Sequence, residues 1–343
     1  MAGPRVTLQD VAQRAGVSRT TASFVLGGRR DMRISADAER RVIQAARELS
    51  YRPSLLARSL RTNLSQTIGL LSDLIASDAF AGEIVRGSMA TALRGEHLMF
   101  IGETQGDPEL ERQLVHSMLD RGVSGFLYAS MYTRTVRVSA TLREHRLVLL
   151  NTLSRGRRIT TVVPDEVEAG RTAMRELIAH GHRDRIVLVG EQAPHVVAAS
   201  DRINGIQEVL SQHGTQLAGT VDTLWWPEPA HAAVAAYLAD GGRPTAFICL
   251  NDRIAMGTYQ AVVEAGLRIP DDVSVISFDG SDLASWLRPK LTSIAIPHFE
   301  MGRQAAELLL QPDVSPQVHR ISMPLKAGES VGPPPAGRRR RSR

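Results

Sequence analysis

Short apolar segments alternate with amphipathic segments along most of this chain, from residue 66 to residue 330. The apolar segments have the length and composition of buried strands, and the amphipathic segments have the spacing of helices. Alternation of this kind predicts an α/β fold of parallel sheets with helices on both faces. Because about 265 residues are too many for one such sheet, we expect two lobes, with crossings near Pro164, Leu291 and Ser322. The predicted strands are 67–71, 97–101, 125–127, 147–150, 186–189, 246–250 and 273–278, and the predicted helices include 83–93, 109–121 and 169–180.

Residues 1–52 follow a different pattern, which predicts a small domain made only of helices. Apolar side chains recur at helical spacing after Thr7, and Gly16 allows the left-handed backbone that ends this first helix. Ser18 is suited to cap a second helix. Two short helices joined by Ala-Gly-Val-Ser (residues 15–18) are typical of a helix-turn-helix unit, in which the second helix enters the major groove of DNA.

The charge is distributed unevenly along the chain. The net charge is +5 at neutral pH, but residues 1–65 contain 12 arginines and 5 acidic residues, and 5 further arginines follow Ala336. A basic N-terminal region next to an acidic body indicates that this region contacts an anion such as nucleic acid. Residues 331–343 form a predicted disordered basic tail, since they are rich in proline, glycine and arginine.

Composition and motifs argue against several other classes of protein. The only cysteine is Cys249, so an internal disulfide is impossible and a reducing compartment, the cytoplasm, is expected. Apolar runs are far shorter than the ~20 residues that cross a bilayer, and the polar N-terminus does not have the pattern of a signal peptide. The sequence has no nucleotide-binding loop and no serine nucleophile elbow. His180 and His182 could suggest a pair of metal ligands, but they flank a glycine that is predicted to end a helix, and a turn explains them better. We therefore expect no enzyme activity, no cofactor and no metal.

Residues 53–65 form a predicted hinge between the two regions. Pro53 suits the first turn of a helix, and the following helical segment of about seven residues is too short to be stable alone. Residues 6–28, VTLQDVAQRAGVSRTTASFVLGG, and residues 51–71, YRPSLLARSLRTNLSQTIGLL, resemble the LacI/GalR family of bacterial transcription regulators. In that family the hinge helix folds on operator DNA and inserts a leucine into the minor groove, which implies this role for Leu60.

The second helix carries most of the predicted DNA contacts. The Arg19 guanidinium can donate two hydrogen bonds to guanine, and Thr20 can bond a base or touch a thymine methyl group. Short hydroxyl side chains on the same helix are suited to phosphates. Phe24 occupies a base-reading position of the family where a polar residue is common, and it offers only an apolar contact. The full predicted set is Ser18, Arg19, Thr20, Thr21, Ser23, Phe24 and Leu60.

Polar residues follow several predicted strands of the body, at the edge where parallel α/β sheets bind their ligands. They supply the donors and acceptors that a hydroxylated ligand needs, and nearby aromatic rings can stack on a sugar. The body also resembles the type I periplasmic sugar-binding fold, which carries the sensor in the LacI/GalR family. That resemblance implies that Arg202, in an R-x-x-G step, bonds ligand hydroxyls with two donors. The full predicted set of ligand contacts is Asp73, Phe80, Asn151, Arg202, Trp225, Asn251 and Asp279.

These features together predict a homodimeric transcription regulator, a repressor, that binds a pseudo-palindromic operator and no membrane. A sugar or sugar derivative bound between the lobes is expected to change their angle and thereby control the hinge. Ile296 stands where the family pattern has a polar residue, so we expect an effector that is smaller, less polar or differently posed. Three alternatives stay open: a solute-binding protein for transport, an α/β enzyme with a DNA-binding head, and a sensor of protein partners.

Overall fold

The computed structural model describes residues 6–27, 34–51, 66–75, 82–156, 158–191 and 196–335. They belong to two compact units, Met1–Gln66 and Thr67–Arg343. The predicted hinge, with Leu60, and the aromatic candidate Phe80 lie outside the described residues. In the described ranges, no helix is both long enough and apolar enough to cross a bilayer.

The first unit contains the three predicted helices, α1 (Leu8–Ala15), α2 (Arg19–Leu26) and α3 (Ala36–Glu48). Thr7 and Asp10 form a reciprocal capping box on α1, because Thr7 Oγ1 accepts from Asp10 N at 3.3 Å and Thr7 N donates to Asp10 Oδ2 at 2.7 Å. The helices pack around small buried apolar side chains, among them Val11, Ala22 and Val42. The prediction of an all-helical helix-turn-helix domain is therefore confirmed.

The second unit has two lobes, each built on a six-stranded sheet. From residue 67 to residue 164 the chain forms β1 (Thr67–Ser72), α4 (Gly82–Arg94), β2 (Leu98–Glu103), α5 (Pro108–Asp120), β3 (Gly125–Val136), α6 (Ala140–Arg143), β4 (Arg146–Ser154) and β5 (Thr161–Pro164). It then forms α7 (Glu166–Ala179), β6 (Ile186–Val189), α8 (Val197–Gln212), β7 (Gly219–Val221), α9 (Pro227–Ala239), β8 (Ala246–Cys249), α10 (Asp252–Glu264), β9 (Ser274–Asp279), α11 (Asp282–Trp286) and β10 (Thr292–Ala295). It ends with α12 (His298–Leu310), β11 (Val318–Ile321) and β12 (Leu325–Lys326).

The two sheets have the same strand order and differ in the direction of one edge strand. The strand order is β11-β5-β4-β3-β1-β2 in the first lobe and β12-β10-β9-β8-β6-β7 in the second. The strands of each sheet pair in parallel, apart from β12, which runs antiparallel to β10. The predicted fold class, an all-helical N-terminal domain followed in the sequence by a two-lobed α/β sensor of parallel sheets, is confirmed.

The chain crosses between the lobes three times. It leaves the first sheet after Pro164, returns to the first lobe at Ile296, and crosses again between β11 and β12. The middle crossing lies later than the predicted position at Leu291, because residues 292–295 still form a strand of the second sheet. After this crossing, α12 inserts Met301 and its neighbours into the core of the first lobe.

Glycines allow α7 and α8 to pack with their backbones in contact. A Cβ atom at Gly170 of α7 would lie 2.0 Å from the carbonyl oxygen of Arg202 in α8. A Cβ atom at Gly205 of α8 would lie 2.0 Å from the carbonyl oxygen of Val167 in α7. This close approach brings the first turn of α7, with Glu166, beside Arg202.

The first residues of the predicted tail are part of the second lobe. Val331 packs against the core, and the carbonyl of Gly332 accepts from His182 Nε2 at 2.9 Å. Gly332 N also donates to Ser274 Oγ at 3.1 Å. The prediction of disorder was therefore wrong for Val331 and Gly332, because bonds to buried side chains hold them in place. Residues 336–343 lie outside the described residues.

Candidate functional site

The N-terminal turn of α2 meets the requirements of a DNA-reading helix. Ser18 caps the helix, since its Oγ accepts from Thr21 N at 3.0 Å and lies 2.8 Å from Thr21 Oγ1. Arg19 and Thr20 follow the cap and are exposed, whereas Ala22 is fully buried in the core. Exposed donors at the start of a helix are what a major-groove contact needs.

The other predicted contacts on α2 are less open. Ser23 and Phe24 are half-buried, and the hydroxyl groups of Ser18 and Thr21 already bond to each other at the cap. A base contact therefore requires least rearrangement at the two exposed residues of the first turn.

In the second lobe, the predicted ligand residue Arg202 lies in a buried ion pair. Its Nε and Nη2 donate to the two carboxylate oxygens of Glu166 at 2.7 and 3.1 Å, and both side chains are 3% exposed. Its Nη1 donates to the Leu250 carbonyl at 2.5 Å, and the Phe278 ring centroid lies 4.8 Å from the guanidinium carbon. The bidentate edge of the guanidinium is thus occupied by the protein itself. Sequence analysis did not identify Glu166, because it starts a helix after a crossing and does not follow a strand.

Asp279 ends β9 beside this ion pair and is partly open. Its Oδ1 lies 3.4 Å from Arg202 Nη2, and its side chain is 17% exposed. Its backbone has a φ of 101°, which turns the chain out of the strand. Burial raises the pKa of this carboxyl to about 8, although the positive charge of Arg202 opposes the shift. The carboxyl is placed to accept hydrogen bonds from a ligand, and donors there favour its charged form.

Asn251 and Asp252, which follow β8, are both engaged by the protein. Asn251 caps α10, since its Oδ1 accepts from Ile254 N at 2.7 Å, and its Nδ2 lies 3.5 Å from the Trp225 carbonyl. Asp252 is 1% exposed and ties β9 and β10 to the following loop. Its carboxylate accepts hydrogen bonds from three hydroxyl groups, those of Ser277, Ser281 and Ser293.

Two adjacent tryptophans before α9 differ in exposure. Trp225 packs against the second-lobe core, and its Nε1 is buried without a hydrogen-bond partner among the described residues. Trp226 is 54% exposed, and the Arg253 guanidinium carbon lies 4.7 Å from its ring centroid. Because a buried indole N–H usually has an acceptor, Trp225 is suited to donate to a ligand.

In the first lobe, Asp73 follows β1 and binds a neighbouring arginine. Its Oδ1 accepts from Leu74 N and Met131 N at 2.8 and 3.0 Å, and its Oδ2 accepts from Arg134 Nη2 at 2.9 Å. Arg134 Nε also lies 3.3 Å from Ser130 Oγ and donates to it. Asp73 thus holds the backbone of β3 and orients a guanidinium that sequence analysis did not identify, since the predicted strand ended at residue 127.

Asn151 lies on β4 next to the same part of β3 and is fully engaged. Its Oδ1 accepts from Thr133 Oγ1 at 2.6 Å, and its Nδ2 donates to the carbonyls of Ser130 and Met131 at 3.1 and 3.0 Å. The residue is 2% exposed and has a φ of 53°. It stabilises the irregular part of β3, and a ligand contact by this side chain stays a prediction.

In the first lobe Asp73 and Arg134, and in the second lobe Asp279, lie at or just after the carboxyl ends of parallel strands. Helix α8, which carries Arg202, also contacts β3 of the first lobe, and Ile296 packs against the cores of both lobes. The edges that carry Asp279 and Arg134 therefore border the crevice between the lobes, where this type of sheet binds ligands. Within the described ranges, no group of three or more His, Cys, Asp or Glu side chains is placed to hold a metal ion.

Comparison with known proteins relates both parts of the chain to one kind of regulator. Residues 7–54 match the family described as bacterial regulatory proteins, lacI family, and residues 174–331 match the periplasmic binding protein-like domain. The chain is 30% identical over 309 residues to the HTH-type transcriptional repressor PurR of Pasteurella multocida, covering 89% of this chain and 91% of that protein. It is 31% identical over 310 residues to the ribose operon repressor of Haemophilus influenzae, again covering 89% and 91%.

A solved structure of the lac repressor dimer bound to operator and the anti-inducer ONPF has a similar fold. The TM-score is 0.80 at 25% sequence identity, and the match covers 96% of this chain and 100% of that one. Because the relatives matched along most of their length are transcriptional repressors, the chain is a DNA-binding regulator with a ligand-binding domain and not an enzyme. It belongs to the LacI family of bacterial regulatory proteins.

Proposed function

We propose that this protein is a homodimeric repressor that binds a pseudo-palindromic operator in the cytoplasm and is controlled by a sugar or sugar derivative. In this organisation residues 1–52 read DNA, residues 53–65 act as the hinge, and residues 66–330 bind the effector and the second subunit. The observation that carries the proposal is the joint presence of a capped helix with exposed Arg19 and Thr20 and a two-lobed sensor.

The DNA contacts of the proposal divide by chemistry. Arg19 and Thr20 read base edges in the major groove, because they are exposed in the first turn of α2. Ser18, Thr21 and Ser23 contribute hydroxyl groups to phosphates, and Phe24 makes an apolar contact. Leu60 inserts into the minor groove at the centre of the operator and kinks it. Two-fold symmetry of the dimer then requires two related half-sites.

The effector binds in the crevice between the lobes. Asp279 offers an acceptor there, Trp225 an indole N–H and an aromatic face, and Arg202 one remaining donor beside its ion pair. One of the relatives is a ribose operon repressor, which supports a sugar as the ligand class. The further contacts in the proposal are those predicted above for Asp73, Phe80, Asn151 and Asn251.

A second subunit covers an apolar patch at the edge of the first sheet. The patch comprises exposed residues of α4 and β2, namely Leu93, Leu98, Phe100 and Ile101. An edge strand with exposed apolar side chains invites association, and natural proteins cover such edges. We therefore assign this patch to the homodimer interface.

The test is selection of bound DNA from a genomic library with the purified full-length protein. We expect a short palindrome, and we expect Leu60→Ala to abolish the preference for it. Arg19→Gln is expected to relax the preference at one position of each half-site, at a cost of about 1–3 kcal/mol in discrimination. Arg40→Gln is the matched control, because it removes the same charge from an exposed residue of α3 that pairs with Asp37.

Titration of the selected operator with a panel of sugars tests the second part of the proposal. A sugar that changes operator affinity identifies the effector class, since it must bind one lobe arrangement better than the other. Binding that is salt-sensitive but independent of sequence, in every variant, would contradict the repressor function.

A further inference from the structure

The two edges of the crevice differ in the polar group that they leave available to a ligand. On the second lobe this group is the carboxyl of Asp279, and on the first lobe it is the guanidinium of Arg134. We infer that the effector is an acidic sugar derivative whose carboxylate or phosphate binds Arg134 and whose hydroxyl groups donate to Asp279. This inference rests on the proposed function, because it names the ligand class of the same crevice.

Arg202 is not available for an acidic group, although the family resemblance assigns this arginine to the ligand. Its Nε and Nη2 bond to Glu166, and its Nη1 bonds to the Leu250 carbonyl. The carboxylate of Glu166 compensates the guanidinium charge in a site where both side chains are 3% exposed. A ligand acid placed here would have to displace this carboxylate and leave it buried without its partner, which is unfavourable.

Arg134 keeps donors free for a ligand. Its side chain is 31% exposed, and its bonds to Asp73 and Ser130 use only Nη2 and Nε. Its Nη1 has no hydrogen-bond partner in the part of the chain that the structure describes, so that end of the fork is open. A guanidinium binds a carboxylate or a phosphate through two parallel hydrogen bonds from two of its nitrogens. In Arg134 the free Nη1 supplies one donor, and the second N–H of Nη2, which its single bond to Asp73 leaves unused, supplies the other. Tyr132 is 40% exposed, and its ring centroid lies 5.7 Å from the guanidinium carbon of Arg134.

Asp73 acts as a positioning residue for Arg134. Both of its oxygens are occupied, one by the N–H groups of Leu74 and Met131 and the other by Arg134, and its side chain is 11% exposed. These bonds hold the guanidinium over the carboxyl ends of β1 and β3, at the crevice. A group that is held in place before binding loses little conformational entropy when the ligand arrives.

Asp279 favours hydrogen-bond donors at the other end of the ligand. Its Oδ1 lies 3.4 Å from Arg202, and its Oδ2 has no hydrogen-bond partner among the residues described. Sugar hydroxyl groups are donors that satisfy this oxygen. A ligand acid at this position would instead place a second negative charge beside the carboxylate of Glu166, which already compensates the charge of Arg202. The crevice therefore orients a ligand that is acidic at one end and rich in hydroxyl groups at the other.

The test measures the binding of matched neutral and acidic sugars to the full-length protein by calorimetry. The comparisons are D-glucose with D-glucuronate and D-glucose 6-phosphate, and D-ribose with D-ribose 5-phosphate. We expect an acidic member to bind, and its neutral counterpart to bind at least about tenfold more weakly. We expect Arg134→Gln to remove this preference. The carboxylate and phosphate members distinguish the two kinds of acidic group.

Two further variants separate a role in binding from a role in folding. Arg112→Gln is the matched control, because Arg112 is exposed on α5 of the same lobe and pairs with Glu109. Asp73→Asn keeps an acceptor for the two backbone N–H groups but removes the charge beside Arg134. If Asp73 acts through Arg134, the double variant binds the acidic sugar no more weakly than Arg134→Gln alone, whereas independent roles give additive losses.

Three results would overturn the inference: equal binding of neutral and acidic sugars by the wild-type protein, no binding of any acidic member at millimolar concentration, or an unchanged preference in Arg134→Gln. Thermal unfolding of each variant reports whether its fold is retained. Operator binding is measured in the same preparations without ligand. Its loss counts against the repressor function, whereas intact operator binding with a preference for neutral sugars counts against this inference alone.

Discussion

Glu166 binds the guanidinium of Arg202 and compensates its charge. The two side chains form a bidentate ion pair and are both 3% exposed. Glu166→Gln keeps the size of the side chain and one acceptor but removes the charge that compensates Arg202. We expect this change to lower the free energy of unfolding of the sensor by about 2–4 kcal/mol, because it leaves a buried charge without its partner. Urea unfolding measures the effect.

The control for this prediction lies two residues further along the same helix. Glu168 bonds to Arg171 and Arg175 at the surface, and its side chain is 41% exposed. Glu168→Gln is expected to change the free energy of unfolding by less than about 1 kcal/mol, since solvent screens surface ion pairs. Equal losses in the two variants would show that burial of the Glu166 pair has no special consequence.

Asp279 makes the stability of the sensor depend on pH. Burial raises the pKa of its carboxyl to about 8 in the folded protein, whereas an exposed aspartate has a pKa of about 3.9. The folded state therefore holds a proton that the unfolded state releases. This contribution to stability is fully present below about pH 4 and is lost as the pH rises through the folded-state pKa, with a slope of at most about 1.4 kcal/mol per pH unit.

Asp279→Asn removes the titrating group and keeps its size. We expect urea unfolding to show a smaller loss of stability between about pH 5 and about pH 8 for the variant than for the wild-type protein. Identical pH profiles of the two proteins would contradict the assignment of this proton to Asp279.

Helices and strands with a regular apolar period were predictable from the sequence. The second half of β3, which has no such period, was not. The strand 186–189 and the helix 83–93 are found at 186–189 and 82–94. In contrast, β3 continues nine residues beyond the predicted end at residue 127. Its later residues mix polar and apolar side chains and pair with β4 after a shift in register, so no regular alternation identifies them. Arg134 lies in this extension, and sequence analysis therefore missed it.

The sequence predicted where polar residues lie near strand ends, but it did not predict what their side chains bind. Asn251 follows β8 and Asp279 ends β9, as expected, whereas Asn151 lies inside β4, which continues to Ser154. Asn151 nevertheless bonds to the backbone of β3, and Asn251 caps a helix. A side chain that can bind a ligand can equally satisfy nearby backbone groups, and only the three-dimensional arrangement decides between these partners.

The crossing of α7 and α8 sets the geometry of the Glu166–Arg202 pair. A Cβ atom at Gly170 would lie 2.0 Å from the Arg202 carbonyl oxygen, so Gly170→Ala forces the helices apart. We expect the change to lower the free energy of unfolding by about 1–3 kcal/mol and to weaken binding of the effector. Gly219→Ala is the control, since a Cβ atom at that position meets no atom within 4 Å. Urea unfolding measures both variants, and equal losses of the free energy of unfolding in the two would contradict the proposed role of this crossing.

At the scale of the whole molecule, the effector site and the proposed subunit interface occupy different edges of the first sheet. Arg134 and Asp73 lie at the carboxyl ends of β1 and β3, whereas β2 forms one lateral edge of the same sheet. A ligand that moves one lobe therefore acts on the sheet that also carries the proposed subunit interface. Changes at the lateral edge are expected to affect assembly while leaving the crevice intact.

The lateral edge provides the last prediction. Leu98 and Phe100 are 53% and 40% exposed, and alternate residues of a strand lie on one face. The double change of both residues to Asp places two charges in the proposed interface, where burial without a partner is strongly unfavourable. We expect a monomer by analytical ultracentrifugation and weaker operator binding, because the two half-sites are then bound independently. Val318→Asp is the control, since Val318 is 47% exposed on β11 at the opposite edge of the sheet. A dimer that persists in the Leu98 and Phe100 variant would assign the subunit interface to another surface.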